Sequence, residues 1–279
     1  VVLYDRTFVH GSLARAFRER MPFYALLASS WLLLIALLAT HPRSASAGFS
    51  SGVSGWTYLL NQPALLLHYL RLVAWPTGLV ANYGTPVALQ LTDVLPQALA
   101  IVALLVATIV ALVRWPLVGF AAAWVFITLA PTSSLVPIAT EVGAERRMYL
   151  AGMAIVAGLV VTAAPFLAAR VRIQWARAGV VAAIALLLGV MTTGRNREWA
   201  SGLTLAETSA ARWPNTTATL MLGTELAAAG RHDEALVHLR AAAADAQLPP
   251  AHYHLGVELF KSAAQLDLVH IPYKGSGPA

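Results

Sequence analysis

The chain contains no cysteine, which excludes disulfides, thiolate metal centres and thiol nucleophiles. Charge is also scarce. Asp, Glu, Lys and Arg make up 11% of the 279 residues, under half of the about 25% usual in soluble domains. Acids are the rarer sign, 13 against 19 bases. The net charge of +6 is spread over loops and builds no nucleic-acid-binding face. A Gly-rich phosphate loop, a nucleophile elbow and a His-Glu-x-x-His motif are all missing. The histidines are scattered, and His252 and His254, two apart, face different ways on a helix. No metal site and no cofactor are expected. His232, in "AAGRHDEAL", reads as solvent-exposed, and the sequon at Asn215 is a triplet too common to carry weight. The start, "VVLYDRTFVHG", has neither Met nor a signal-peptide pattern. It reads as a piece of a longer protein with further spans upstream.

What the chain has is apolar length. It is 58% hydrophobic with a mean hydropathy of +0.66. A spanning helix needs about 20 mostly apolar residues, and five stretches qualify or nearly so: 21–40, 95–113, 116–130, 148–169 and 179–193. The third and fifth are short. Arg6, Arg15, Arg18, Arg20, Arg114, Arg170, Arg172 and Arg177 fall on one side of these spans. Arg43, Arg71, Arg146 and Arg147 fall on the other. The arginine bias puts the N-terminus in the cytoplasm and the region after the fifth span outside. Between the first two spans, "GWTYLLNQPALLLHYLRLVAWPTGLV" is apolar but broken by Pro63 and Pro76. A helix from about Pro63 to Ala74 is expected to lie on the bilayer, with Trp56, Tyr58, Tyr69 and Trp75 at headgroup level. The sharper alternative makes it a wall of a lipid-substrate groove. Asp93, after Thr92 and before a span, reads as a helix N-cap.

After Thr193 the sequence becomes Ala-rich and helical in period. Turn signals fall at Trp213-Pro214, Gly230 and Pro249-Pro250. "LMLGTEL" at 220–226 recurs as "YHLGVEL" at 253–259, with Gly223 and Gly256 in register. A period near 34 residues, with Leu-Gly in the first helix and small residues in the second, resembles tetratricopeptide repeats. Residues 197–214 supply a helix or two of a degenerate first unit.

One stretch stands out against the apolar background. "TEVGAERRMYL", 140–150, gathers Glu141, Glu145, Arg146 and Arg147 against the head of a span. Charges at the mouth of a membrane bundle are costly unless paired or used. Arginine there suits a lipid-linked phosphate, because its planar donors bind phosphate at two points.

"FITLAPTSSLVPIATEVGAERRMYLAGMAIV", 126–156, resembles the signature of the transmembrane and tetratricopeptide-repeat glycosyltransferases. These are C-type enzymes related to protein O-mannosyltransferases. Pro131, Ser133, Pro137, Ala144, Glu145, Arg146, Tyr149 and Leu150 match, whereas Arg147 lies outside the motif. "LHYLRLVAWPTGLVANYG", 67–84, is similar to the family's loop ending in an acid-Tyr pair. Asn82 stands where an acid is frequent, followed by Tyr83. "TTGRNREWASGLTL", 192–205, resembles its crossing from last span to repeats. The resemblance implies the C-terminal half of such an enzyme, transferring a sugar, with mannose the candidate. The donor would be a polyprenyl-phosphate-sugar and the acceptor protein would be engaged through the repeats. It gives lipid-phosphate candidates Arg146 and Arg147 with Glu145 orienting, and secondary candidates Glu141, Asn82 and Tyr83. The family's presumed catalytic acid lies upstream, so the catalytic residues are unknown. Separately, "ELFKSAAQLDLVHIPYKGSGPA", 258–279, resembles a signature of tricarboxylate-transporter substrate-binding proteins. This marks 258–279 as a foreign-looking tail joined near Gly256 to Glu258.

The expected architecture is all-α. A polytopic membrane bundle of about five spans (1–193) precedes tetratricopeptide-like repeats (194–257) and the tail. The expected location is the bacterial inner membrane, with the lipid bilayer as a partner and the repeats outside. Two other functions stay open: a non-catalytic membrane-anchored scaffold recruiting periplasmic proteins, and, on the tail alone, a solute-binding receptor.

Overall fold

The computed structural model describes residues 1–40, 48, 52–171, 173–245 and 248–265. Arg43, Arg172 and the segment 266–279, which holds His270 and most of the tail motif, lie outside the described residues. No strand occurs among the described residues. The chain forms two compact units. One comprises Val1–Leu79 and Gly84–Thr192; the other gathers Val80–Tyr83 with the chain from Thr193 onward.

The first unit opens with a single turn α1 (Val2–Tyr4), a π-helical stretch Asp5–His10, and the long helix α2 (Leu13–Thr40). α2 kinks at Arg20, whose φ of −122° and ψ of 17° leave the helical region. The cause is Pro22, which lacks an N–H and whose ring crowds the preceding turn. The expected span at 21–40 is the part of α2 beyond this kink. Asp5 is buried at the bend. It accepts from Tyr24 Oη at 2.7 Å and from Arg20 Nη1 at 3.2 Å.

α3 (Gly55–Ala74) is longer than the proline pattern suggests, and Pro63 sits inside it. Its start is fixed by Ser54, whose hydroxyl accepts from the Thr57 N–H at 2.9 Å. One face of α3 packs into the protein. Tyr58, Leu60, Gln62, Leu65, Tyr69 and Leu72 are all buried. That burial offsets the hydrogen bond lost at Pro63. Trp56 and Trp75 at its ends are exposed as expected, but Tyr58 and Tyr69 are core residues.

α4 (Leu91–Arg114), α5 (Pro116–Leu129), α6 (Met148–Arg170) and α7 (Gln174–Glu198) follow. Asp93 does help start α4, but at the third helical position. Its carboxylate accepts from the N–H of Gln90, the capping residue, at 2.8 Å. Four helices are long and apolar enough to cross a membrane: Leu13–Leu37, Leu91–Arg114, Glu145–Arg170 and Gln174–Glu198. The protein thus reads as an integral membrane protein whose apolar helices face lipid. The expected count of about five spans is corrected to four of full length. α5, with 14 residues, rises about 21 Å at 1.5 Å per residue, short of the about 30 Å hydrocarbon core. Pro116 starts it directly after the one-residue link Trp115, and the turn at Pro131–Ser133 stops it. α5 nevertheless packs against both α4 and α6. Gly119 makes the approach to α4 possible, since a Cβ there would lie 2.2 Å from the Leu112 backbone nitrogen. Tyr69, Val125, Leu129, Met148 and Ala151 form the core shared by α3, α5 and α6.

The second unit contains α8 (Gly202–Arg212), α9 (Thr216–Ala228), α10 (His232–Ala243) and α11 (Pro249–Ala264), each packed on the next. Ser201 caps α8. Asn215 caps α9 by accepting from the Ala218 N–H at 2.9 Å, which gives the sequon asparagine a structural role. Gly230, at φ +77°, makes the left-handed turn between α9 and α10. "LMLGTEL" lies on α9 and "YHLGVEL" on α11. α11 runs unbroken through Gly256–Glu258. Glu258 is buried, and its carboxylate is hydrogen-bonded to His232 Nδ1. His232 is therefore exposed in part but engaged.

The two repeat-related glycines differ in surroundings. A Cβ on Gly223 would meet the Leu239 side chain at 2.8 Å and its backbone nitrogen at 3.2 Å, whereas Gly256 has nothing within 4 Å. Gly223→Val should cost about 1–3 kcal/mol through overpacking of α9 on α10. Gly256→Ala should be neutral or gain up to about 1 kcal/mol from helix propensity. Chemical denaturation of the purified protein in detergent checks both signs.

Candidate functional site

The segment that drew attention in the sequence is organised by α3. Tyr58, Gln62, Leu65 and Tyr69 recur at helical spacing and form one buried face. Against it lie the end of α5, the turn at Thr132–Ser133, the loop to Ala144 and a 3₁₀ turn, Glu145–Arg147, that leads into α6.

Arg147 binds these pieces together. Its Nη1 donates to Tyr58 Oη and the Thr132 carbonyl, both at 3.0 Å, and to the Val142 carbonyl at 3.2 Å. Nη2 donates to the Glu141 carbonyl at 3.0 Å. Tyr58 Oη in turn donates to the Thr132 carbonyl at 2.6 Å. Gln62 Nε2 donates to the Val142 carbonyl at 3.3 Å. The Ala144 N–H donates to Tyr69 Oη at 2.6 Å. Gly143 is needed at this crossing, because a Cβ there would lie 2.9 Å from Tyr69 Oη. α3 is not among the four membrane-length helices. Burial raises the Tyr58 phenol, opposed by the Arg147 charge. Burial pushes the Tyr69 phenol up to about 12. Both stay neutral donors or acceptors at physiological pH.

The two arginines of the motif have different surroundings. Arg147 is half-buried and committed to the loop. Arg146 is exposed, with 74% of its side chain accessible, and its Nη2 pairs with Glu141 Oε2. The carboxylate bonded to Arg146 is thus that of Glu141, five residues back across the loop. The sequence reading gave this orienting role to the neighbouring Glu145. On a 3₁₀ turn, consecutive side chains point about a third of a turn apart. Below Arg146 an open groove of about 780 Å³ runs along α6, lined by Glu145, Arg146, Tyr149, Gly152, Met153 and Val156. Apart from its two charged residues at the top, the groove is apolar.

Asn82 and Tyr83 belong to the second unit. The Asn82 carbonyl accepts from Asn215 Nδ2 at 3.5 Å, and the buried Tyr83 ring sits edge-on to Trp213, with centroids 5.2 Å apart. Sequence reasoning missed Tyr58, Gln62 and Tyr69 as partners of the motif. The available signal was the 3.6-residue spacing of polar and aromatic residues through Pro63. Three polar atoms near the loop, Gln62 Oε1, Ser133 Oγ and Glu141 Oε1, are buried without a hydrogen-bond partner among the described residues. Among those residues no group of three or more His, Cys, Asp or Glu side chains could hold a metal ion.

Three outcomes follow from this geometry. Arg147→Lys should destabilise the protein by about 1–3 kcal/mol, because a point charge leaves buried carbonyls unsatisfied. Arg146→Lys, on an exposed pair, should cost under about 1 kcal/mol; thermal unfolding in detergent compares them. The raised Tyr69 phenol contributes stability that is complete below pH 10 and is lost as pH rises toward 12. Tyr69→Phe should remove that alkaline step, read by phenolate absorbance and circular dichroism.

Compared with family models, curated proteins and solved structures, the chain matches none.

Proposed function

We propose that the chain is part of a membrane glycosyltransferase that transfers a sugar from a polyprenyl-phosphate carrier to an acceptor outside the cytoplasm. One observation carries this reading: an exposed guanidinium, held by Glu141, stands at the head of an apolar groove along a membrane-length helix. A lipid phosphate needs both parts, a planar cation at headgroup level and an apolar track for the chain beneath it. In this reading Arg146 contacts the phosphate. Glu141 holds Arg146 in one pose, which lowers the entropy lost on binding, and Arg147 fixes the loop that carries both. The helix array of the second unit, read as tetratricopeptide repeats, presents the acceptor protein.

The test is binding of polyprenyl phosphate to the purified protein in neutral-lipid nanodiscs, together with thermal stability. Arg146→Lys and Arg146→Ala should both weaken binding at least about tenfold, the scale of one charge-assisted contact, while unfolding changes little. Unchanged binding in both variants, or a loss of folding that accounts for the loss, overturns the assignment.

A second reading, a membrane-anchored scaffold, is favoured by the close α9–α10 packing around Gly223. Binding of acceptor protein without any requirement for Arg146 would select it. In both readings α5, packed between α4 and α6, is taken to return the chain across the bilayer, and with that return the arginine bias puts the second unit outside the cytoplasm. A reporter active only in the cytoplasm, fused at Gly230, should give no signal; strong activity there reverses the orientation.

A further inference from the structure

The opposite end of the α4–α5–α6 bundle carries charge that the site above does not use. α4 and α5 are joined by Trp115 alone, and α5 packs against α6. The C-terminal ends of α4 and α6 therefore lie at one end, with Arg114 and Arg170 in their last turns. The first turn of α7 is fastened to the same place. Arg177 Nη2 donates to the Ala168 carbonyl at 2.9 Å, and its Nε donates to the Val171 carbonyl. These bonds use two of the five guanidinium N–H groups.

Among the described residues, Arg114, Arg170 and Arg177 form no ion pair with a carboxylate. The sequence has no Asp or Glu in 94–140 or in 148–197. The N-terminal segment packs here through Tyr4 and Phe8 on Phe120. Its two acids are already engaged, Asp5 with Arg20 and Tyr24, and Glu19 with His10. Arg170 lies over the Phe166 ring, its guanidinium carbon 5.0 Å from the centroid. Aromatic side chains stand beside the arginines. Trp175 is 87% exposed and Trp115 61%, where Trp is favoured at the membrane–water boundary. Three of the helices that meet here are of membrane length, and at most 11% of their apolar windows is buried. The arginines thus stand at the ends of membrane-length helices, where the hydrocarbon core of a spanned bilayer would give way to headgroups.

We infer that this end of the bundle binds the headgroup phosphates of anionic phospholipids. Arg170 and Arg177 are the principal contacts, Arg114 is a further one, and Trp115 and Trp175 are seated beside them. Planar guanidinium donors suit phosphate oxygens better than they suit a zwitterionic choline headgroup. The anionic leaflet adds an attraction for each arginine. The inference does not depend on the sugar-transfer reading.

The test uses the purified chain in phosphatidylcholine nanodiscs doped with phosphatidylglycerol, with retained lipids counted by native mass spectrometry. Phosphatidylglycerol should be retained in preference to phosphatidylcholine. Arg170→Gln should lower its retention about fivefold, as should Arg177→Gln. Arg177→Gln also removes bonds that hold α7, so Arg114→Gln serves as the independent variant. Arg114 makes no hydrogen bond or ion pair among the described residues, and its loss should lower retention without changing the unfolding midpoint. Equal retention of the two lipids overturns the inference, as does unchanged phosphatidylglycerol retention in an Arg114→Gln/Arg170→Gln double variant. Displacement of the lipid by inorganic phosphate also overturns it, because it would assign the site to a soluble anion.

Discussion

The first unit depends on one half-buried guanidinium. Removing an arginine from water costs several kcal/mol unless its donors are satisfied. Arg147 meets that requirement with a phenol from α3, the carbonyl of Thr132 just after α5, and two carbonyls from the loop before α6. Three helices and a loop thus share one set of hydrogen bonds. Because the Glu141 main chain is fixed in this way, its side chain can reach Arg146 and hold it at the surface. One arginine builds the loop, and its neighbour is left exposed above an apolar groove.

The membrane setting explains why such a loop is affordable. In hydrocarbon, backbone outside a helix must be satisfied internally. α5 is shorter than the hydrocarbon core is thick, and the segment after it is irregular. Tyr58, Gln62 and Tyr69 supply the missing partners from a helix that is otherwise apolar. The same constraint shapes the other end, where Arg177 caps the last carbonyls of α6. Both ends use arginine, but only at the first does one guanidinium tie a loop to a separate helix.

The second unit is governed by close approach. Gly223 lets α9 lie against Leu239, and buried alanines at 235 and 242 keep α10 near it. Gly256 repeats the sequence of Gly223 but not its surroundings. α10 and α11 are linked instead through a buried carboxylate, Glu258, that meets His232. That pairing falls within the stretch where the sequence suggests a junction, yet the helix continues through it.

The sequence by itself determined the class of protein. Long apolar runs, few charges and no cysteine allow little besides membrane helices, and turn signals at Trp213-Pro214, Gly230 and Pro249-Pro250 marked the breaks between the helices of the second unit. These properties are local, since period, length and turn residues act within a few positions. The charge cluster at 141–147 was visible for the same reason. The tertiary structure decided what each charge does. Arg146 and Arg147 are adjacent and chemically identical, and only the positions of Tyr58 and Thr132, 89 and 15 residues away, separate the half-buried, engaged one from the exposed one. It also decided that Pro63 does not end α3, because burial of the Tyr58–Tyr69 face outweighs one missing hydrogen bond. Pairings between distant residues leave no periodic trace in a single sequence, and those pairings divide the motif between structure and surface.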